Sequence, residues 1–299
     1  MSHRTAVRAG TLLAATLALL LCIPAAAQED AQESAPEEEE ESTGRFSGII
    51  QADFTNAYVF RGIMQERHGF IAQPWAELYF SLFSSDDGPI RDVTIGGGVW
   101  NSFHTEETLA AHGPHSLYET DWYPLLSLDL AGGLNLTTIY YFYSSPNGAF
   151  DTVEELNFKL SWDDSEVLGR WALNPWVNFA VETHLTSLGD EEGSGVQMGI
   201  APTLYEFEHD RYPVTLSIPV EVGLAIEDYY EEEDGSENTF GYVSFGMAAS
   251  MPLAFMPEGY GDWAMTVSAK GFYFSDTLAD VNEGDHWHPV FMASVGVEF

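Results

Sequence analysis

From Val214 to Ile226 every second residue is aliphatic: Val214, Leu216, Ile218, Val220, Val222, Leu224 and Ile226. The residues between them, Thr215, Ser217, Pro219, Glu221, Gly223 and Ala225, are small or polar. Successive side chains of a strand point to opposite faces, so this spacing describes a strand with one apolar and one polar face and does not fit a helix. The period of two recurs over most of the chain beyond Arg45. It predicts strands at Phe46–Phe60, Phe70–Phe83, Asp92–Phe103, Tyr118–Leu130, Leu134–Tyr143, Thr152–Trp162, Trp171–His184, Val196–Tyr205, Pro213–Ile226, Thr239–Leu253, Trp263–Phe274 and Pro289–Phe299. The chain is therefore expected to be all-β, with about twelve strands.

Alternation alone fits a soluble sandwich as well as a barrel, because both bury one face of each strand. The rest of the sequence separates them. Residues 1–27 read as a secretory signal peptide: a basic start with Arg4 and Arg8, an apolar run from Ala9 to Ile23, and Ala25-Ala26-Ala27 as the cleavage site. Acylation at Cys22 is disfavoured by the bulky Leu21 before it. Residues 28–44, with the run Glu37 to Glu41, lack the apolar residues needed to offset chain entropy and read as a disordered acidic lead-in. The connections alternate between short turns such as Ala131-Gly132-Gly133 and longer polar loops such as Thr105–Ser116, Glu227–Asn238 and Ser275–His288. Short turns at one end and long loops at the other, an even strand count and a last strand closing on Phe299 point to an antiparallel up-and-down β-barrel in an outer membrane, spanning 45–299. Phe299 is expected to be the handle by which barrel-assembly machinery takes the chain, and lipid is the expected surrounding.

The segment Asp53-Phe54-Thr55-Asn56-Ala57-Tyr58-Val59-Phe60-Arg61-Gly62-Ile63 resembles the opening signature of the TorF-type porin family, in which Tyr-Val-Phe-Arg-Gly ends the first strand. Gly98-Val99-Trp100-Asn101-Ser102 and Glu119-Thr120-Asp121-Trp122-Tyr123 resemble that family's second landmark, a Gly-x-Trp strand followed by Glu-x-Asp-x-Tyr. The resemblance covers about the first third of the mature chain and implies an outer-membrane barrel rather than any particular solute.

Charge narrows the chemistry. The chain carries 47 acids against 10 Lys and Arg, a formal net charge of −37, and all the acids lie beyond the leader. Phosphates demand Lys and Arg, so nucleic acid is excluded as a partner and cations are favoured. If the aliphatic faces meet lipid, parity sends Asp53, Glu77, Glu119, Asp121, Asp129, Glu155, Glu182, Glu221 and Glu298 to the interior, with Arg61, Lys159 and Lys270 as the opposite charges. A lumen with this balance is expected to pass small hydrophilic solutes and to prefer cations. The rival reading is a closed structural or adhesion barrel whose charges pair internally and whose acidic loops bind divalent cations or surface partners. Arg61, at the outer end of the first predicted strand, either forms a constriction opposite carboxylates or neutralises Asp53 or a loop acid.

No cofactor motif is present, and no enzyme is expected. The pattern His286-Trp287-His288 beside Asp285 is a weak metal signal. Hydrolysis at the lipid-facing surface would need a Ser and a His on neighbouring outward positions, and His184 has the wrong parity for it.

Overall fold

Ladder pairing closes the alternating segments into a ring. The computed structural model describes residues 45–106, 108–185, 192–209, 212–230, 238–257 and 259–299. The leader 1–27, the acidic stretch 28–44 and the middle of the Glu227–Asn238 loop lie outside the described residues. The strands are β1 (Phe46–Thr55), β2 (Tyr58–Phe60), β3 (Ile63–Glu66), β4 (Ile71–Ser84), β5 (Ile90–His104), β6 (Leu117–Leu130), β7 (Leu134–Ser144), β8 (Val153–Trp162), β9 (Trp176–Leu185), β10 (Ser194–Ile200), β11 (Thr203–Phe207), β12 (Val214–Ser217), β13 (Val220–Glu227), β14 (Phe240–Pro252), β15 (Asp262–Phe274) and β16 (Trp287–Glu298). Neighbours run β1-β4-β5-β6-β7-β8-β9-β10-β13-β14-β15-β16, all antiparallel, and β16 returns to β1 with Asp53 opposite Ser294. Strands β11 and β12 prolong β10 and β13. The result is a closed antiparallel barrel of 12 strands.

Four predicted strands differ in extent, each for a local reason. The first ends at Thr55 and not at Phe60. Asn56 Oδ1 accepts the Phe291 N–H at 2.6 Å and the Thr55 hydroxyl donates to the Ala57 carbonyl at 2.9 Å, which bends the chain out of the wall. Residues 171–175 are not strand: Ser165–Leu168 and Gly169–Trp171 form short helical turns, and Asp164 accepts the N–H groups of Leu173 and Asn174 at 3.0 Å. The eighth and ninth predicted strands each break at a proline, Pro202 and Pro219, which has no N–H for the ladder. Their carbonyls still accept, from Ile218 at 3.0 Å and Gly246 at 3.1 Å, so the wall stays continuous.

The two faces of this wall are inverted relative to a soluble protein. Outward positions are apolar and open, as at Leu78 (60% exposed), Phe245 (50%), Met247 (48%) and Phe291 (58%). Inward positions are polar and buried, including Asp53, Gln73, Glu119, Asp121, Glu155 and Gln197. Aromatic rings gather outside at both ends: Phe46 against Phe80, with Trp263, at the end of the short turns, and Trp122 stacked on Phe142 and Phe54 on Phe70 at the end of the long loops. Strand alternation alone produces this inversion, because each ladder sets polar residues opposite polar ones across the inner face.

Candidate functional site

The first long loop does not stay outside. Residues 58–66 form a hairpin, with Phe60 opposite Ile63 and Arg61 and Gly62 as its two-residue turn. Both turn residues have positive φ, 48° and 87°, the left-handed geometry of the tightest hairpins. Glycine is required at the second position, since a Cβ on Gly62 would collide with Tyr242 and sit 2.5 Å from Leu278.

The hairpin lies inside the barrel. Tyr58 packs on Trp100 of β5 at 5.5 Å between ring centres, and Phe60 meets Tyr143 of β7 edge-on at 5.4 Å. Val59, Ile63 and Met64 pack against a buried cluster of Ala225, Tyr230, Tyr242, Phe274 and Leu278. An apolar core of this kind inside a polar lumen gives the hairpin a seat that water does not compete for.

Arg61 reaches across the lumen and makes a two-pronged pair with Glu155 of β8, donates to Asn157 Oδ1 at 3.1 Å and contacts the Tyr229 hydroxyl. Its side chain is 10% exposed and that of Glu155 2%, so this is a buried, charge-assisted pair. The Tyr230 hydroxyl donates to the Arg61 carbonyl at 2.8 Å. Burial holds the Tyr229 and Tyr230 phenols well above their ordinary pKa, so both stay protonated donors. On the other side, Asn282 clips the turn. It donates to the Gly62 carbonyl and accepts the Met64 N–H, each at 2.8 Å. Gln65 accepts from Tyr118 at 2.6 Å, and Arg67 donates to Asp285 at 2.6 Å.

The base of the hairpin carries an arrangement that the sequence did not disclose. Ser102 Oγ lies 2.9 Å from His104 Nε2, and His104 Nδ1 lies 2.8 Å from Glu66 Oε2. The order is that of a nucleophile, a base and its orienting acid. All three residues are at most 1% exposed, His104 is covered by the stacked Tyr118 ring at 4.2 Å, and neither lumen cavity is lined by Ser102. Glu66 belongs to the hairpin, so any withdrawal that uncovered Ser102 would take the acid away. The set fastens the hairpin to β5.

The hairpin divides the lumen. Toward the turn end lies a cavity of about 440 Å³, roofed by Tyr58, Phe60 and Arg61. Toward the loop end lies one of about 210 Å³, bordered by Glu119, Glu155, Glu182 and Tyr229. Phe60 and Tyr143 line both, so they form the partition.

Each charge read from the sequence has a definite place, with Glu298 at the exposed end of β16 opposite Ile49 and Asp262. Asp53 accepts from Trp75 Nε1 at 3.0 Å and from Gln51 at 2.7 Å, and Glu77 accepts from Tyr79 and Tyr123. The Tyr123–Glu77 bond crosses Gly98, where a Cβ would fall 2.6 Å from the phenol oxygen. Glu119 and Asp121 are buried beside Tyr58, and Glu221 accepts from Tyr242. Glu182 takes the Gly193 N–H at 2.7 Å. Lys159 lies over the Trp176 ring at 5.5 Å. Asp129 accepts from Asn135 at 2.7 Å near the turn end, away from the hairpin, and Lys270 shares the inward face of β15 with Thr266, Phe272 and Phe274. Arg61 departs from its expected setting: it stands on the hairpin turn and not on a wall strand, and its partner is Glu155 and not Asp53. In the weak metal pattern Asp285 is engaged by Arg67 and His286 Nδ1 is 3.8 Å from Asp276. Among the described residues no group of three or more His, Cys, Asp or Glu is arranged to hold a metal ion.

Neutral amides share the inward parity of the acids beside them and complete the network, a role that parity in the sequence already signals. Asn178 of β9 donates to Asn157 Oδ1 at 2.6 Å and to Gln197 Oε1 at 2.9 Å, and Asn157 donates to Glu155 at 2.7 Å. A continuous ladder thus runs from the Arg61 pair to Gln197 on β10.

No family model matches the chain, and no curated protein matches it either. Among solved structures it is similar to an outer membrane channel from Pseudomonas putida F1, at 9% identity and a TM-score of 0.45, over 89% of this chain and 100% of that one. It is also similar to the translocator domain of the autotransporter NalP from Neisseria meningitidis (11%, TM-score 0.39, 87% and 90%) and to the NanC porin (11%, TM-score 0.36, 84% and 98%).

Proposed function

We propose that the chain is an outer-membrane channel that passes small hydrophilic solutes, prefers cations and is narrowed by its β2–β3 hairpin. One observation carries the reading: a closed wall whose outer face is apolar with aromatic rings at both ends and whose inner face is polar, enclosing two cavities edged with carboxylates. Only lipid offers such an outer face a matching solvent, and only a hydrated interior repays an inner face of this polarity. The secretory leader and the TorF-type resemblance of residues 53–63 agree with it. The partners are lipid outside and small solutes inside, with no catalytic step, and Ser102, His104 and Glu66 act as a fastener. The depth to which the hairpin is seated favours, as a second reading, a barrel that stays shut and works through its loops.

Single-channel recording of the refolded protein in a planar bilayer separates the two. A channel gives discrete steps, and in a salt gradient its reversal potential takes the sign of cation selectivity. Heat-resistant insertion without current selects the closed barrel. The membrane setting has its own check. Met247→Arg, in the middle of β14 on the apolar face, is expected to lower stability in lipid vesicles by about 2–4 kcal/mol, the cost of a charge near the midplane. Denaturant titration measures it, and an unchanged midpoint excludes a lipid-facing Met247.

A further inference from the structure

Ladder pairing gives every wall strand two neighbours except β11. Its partner is β12, from Thr203 opposite Ser217 to Phe207 opposite Val214, and β12 in turn pairs with β14. On the other side of β11 the last backbone bond runs from the Ala201 N–H to the Leu173 carbonyl at 2.8 Å, just before the strand begins. Strand β9 does not reach further, because the chain ahead of it is taken up by the helical turns Ser165–Leu168 and Gly169–Trp171. Among the described residues, the second edge of Thr203–Phe207 therefore carries backbone N–H and C=O groups that no other part of the protein pairs. An open edge of this kind is a template for another strand.

The side chains along this edge are sorted by face. Beyond a bulge at Leu204, Tyr205 and Phe207 stand opposite Leu216 and Val214 on an apolar face, where the His209 ring stacks against Phe207 at 6.3 Å. Glu206 stands opposite Thr215 on the other face, and Glu208 follows it at the same parity. Tyr205 is 61% exposed and Phe207 51%, and both acids are exposed as well. This pattern limits the occupant. Lipid tails have no donor or acceptor to offer a backbone edge. A second copy pairing edge to edge would set Glu206 and Glu208 against their own counterparts, and like charges facing each other across a ladder are destabilising. The acidic stretch 28–44, with Glu37 to Glu41, meets the same repulsion. The charge that turns these away favours Lys and Arg.

We infer that the open edge of β11 is a docking site for an extended basic segment of a partner protein. The segment adds a strand beside Thr203–Phe207, lays alternate apolar side chains against Tyr205 and Phe207, and points Lys or Arg at Glu206 and Glu208. The edge lies at the turn end of the barrel, so its access rests on the membrane setting and not on conduction.

The test is a fluorescent peptide alternating Lys and Val, blocked at both ends and titrated into the whole barrel in nonionic detergent. Its controls are the same residues in scrambled order, the alternating peptide N-methylated at every amide, and an alternating Glu–Val peptide. The Lys–Val peptide is expected to bind at least about tenfold more tightly than any of the three, the worth of one or two net backbone hydrogen bonds, and to slow hydrogen exchange over residues 203–207. Tyr205→Ser with Phe207→Ser is expected to weaken binding about tenfold, the loss of the apolar contact. Glu206→Lys with Glu208→Lys is expected to reverse the preference in favour of the Glu–Val peptide. All four side chains are exposed, so the wall is left as it is. Equal affinity for the alternating and scrambled orders reduces the attraction to net charge and overturns the site. A preference unchanged by the Lys variant overturns it too, as do dimers in sedimentation whose exchange over 203–207 is already slow, since a second copy then holds the edge. Current without peptide binding removes this inference and leaves the channel; peptide binding without current does the reverse.

Discussion

Arg61→Ala is expected to release the hairpin and raise the single-channel conductance, with rapid open-state fluctuations in place of steady steps. The substitution removes one partner of a pair whose side chains are 10% and 2% exposed and leaves Glu155 charged, buried and uncompensated. Breaking a buried pair in this way costs about 3–5 kcal/mol. That is a shift of about two to three and a half decades in the equilibrium between seated and unseated hairpin. Replacing both partners with apolar residues, Arg61→Met with Glu155→Leu, is expected to recover most of the loss, because neither charge then remains stranded. Hydrogen exchange at Met64, whose N–H is held by Asn282, reports the seated state independently of current. If Arg61→Ala leaves both the exchange at Met64 and the conductance as in the parent, the ion pair does not hold the hairpin.

Excising the hairpin is expected to have the larger effect on current and a smaller one on the wall. Thr55 and Ile71 stand directly opposite each other in the β1–β4 ladder, so the chain can be rejoined there by a two-residue turn. Keeping Asn56 and following it with a single glycine before Ile71 supplies the Asn-Gly sequence that such turns prefer, and it retains the Asn56 bond to Phe291. The two cavities then become one, without the partition at Phe60. Conductance is expected to rise several-fold, while resistance to heat in detergent falls by what the seat of the hairpin contributed: the cluster around Tyr242 and Leu278, the Arg61–Glu155 pair, the Asn282 clip and the Glu66–His104 contact. Unchanged conductance would place the limiting constriction elsewhere in the lumen.

The wall was legible in the sequence because its information is local. Counting by twos through Val214–Ile226 tells which side each residue takes, and Glu155 and Glu182 are assigned in the same way. Information that depends on which strands become neighbours was not available. Tyr58-Val59-Phe60 continues the alternation of Phe46–Thr55 and carries no mark of leaving the wall except Gly62 after Arg61. An Arg-Gly pair is a weaker turn signal than Asn-Gly, although it adopts the same geometry here. Ser102 and His104 are two apart and plainly share a face, but Glu66 joins them only after β3 has folded inward beside β5. A hydrolytic pair acting on lipid belongs on the outer face, whereas Ser102 and His104 lie on the inner one. The prolines show the limit from the other side: the alternation runs on through Pro202 and Pro219, where the strands break, and the wall survives them because their carbonyls still accept.

The contacts that seat the hairpin also fix when it can form. Arg61 meets Glu155 94 residues later, and Met64 meets Asn282 218 residues later. Closing loops of that length costs chain entropy unless neighbouring structure has already brought the ends together; the ladder from β4 to β8 does so for Glu155, and the pairing of β16 with β1 does so for Asn282. The wall must therefore be complete, with β16 paired to β1, before Asn282 and Leu278 are in place to receive the turn. The docking of nine residues onto Asn282 and Leu278 is then the last step by which the interior of the ring takes its final form.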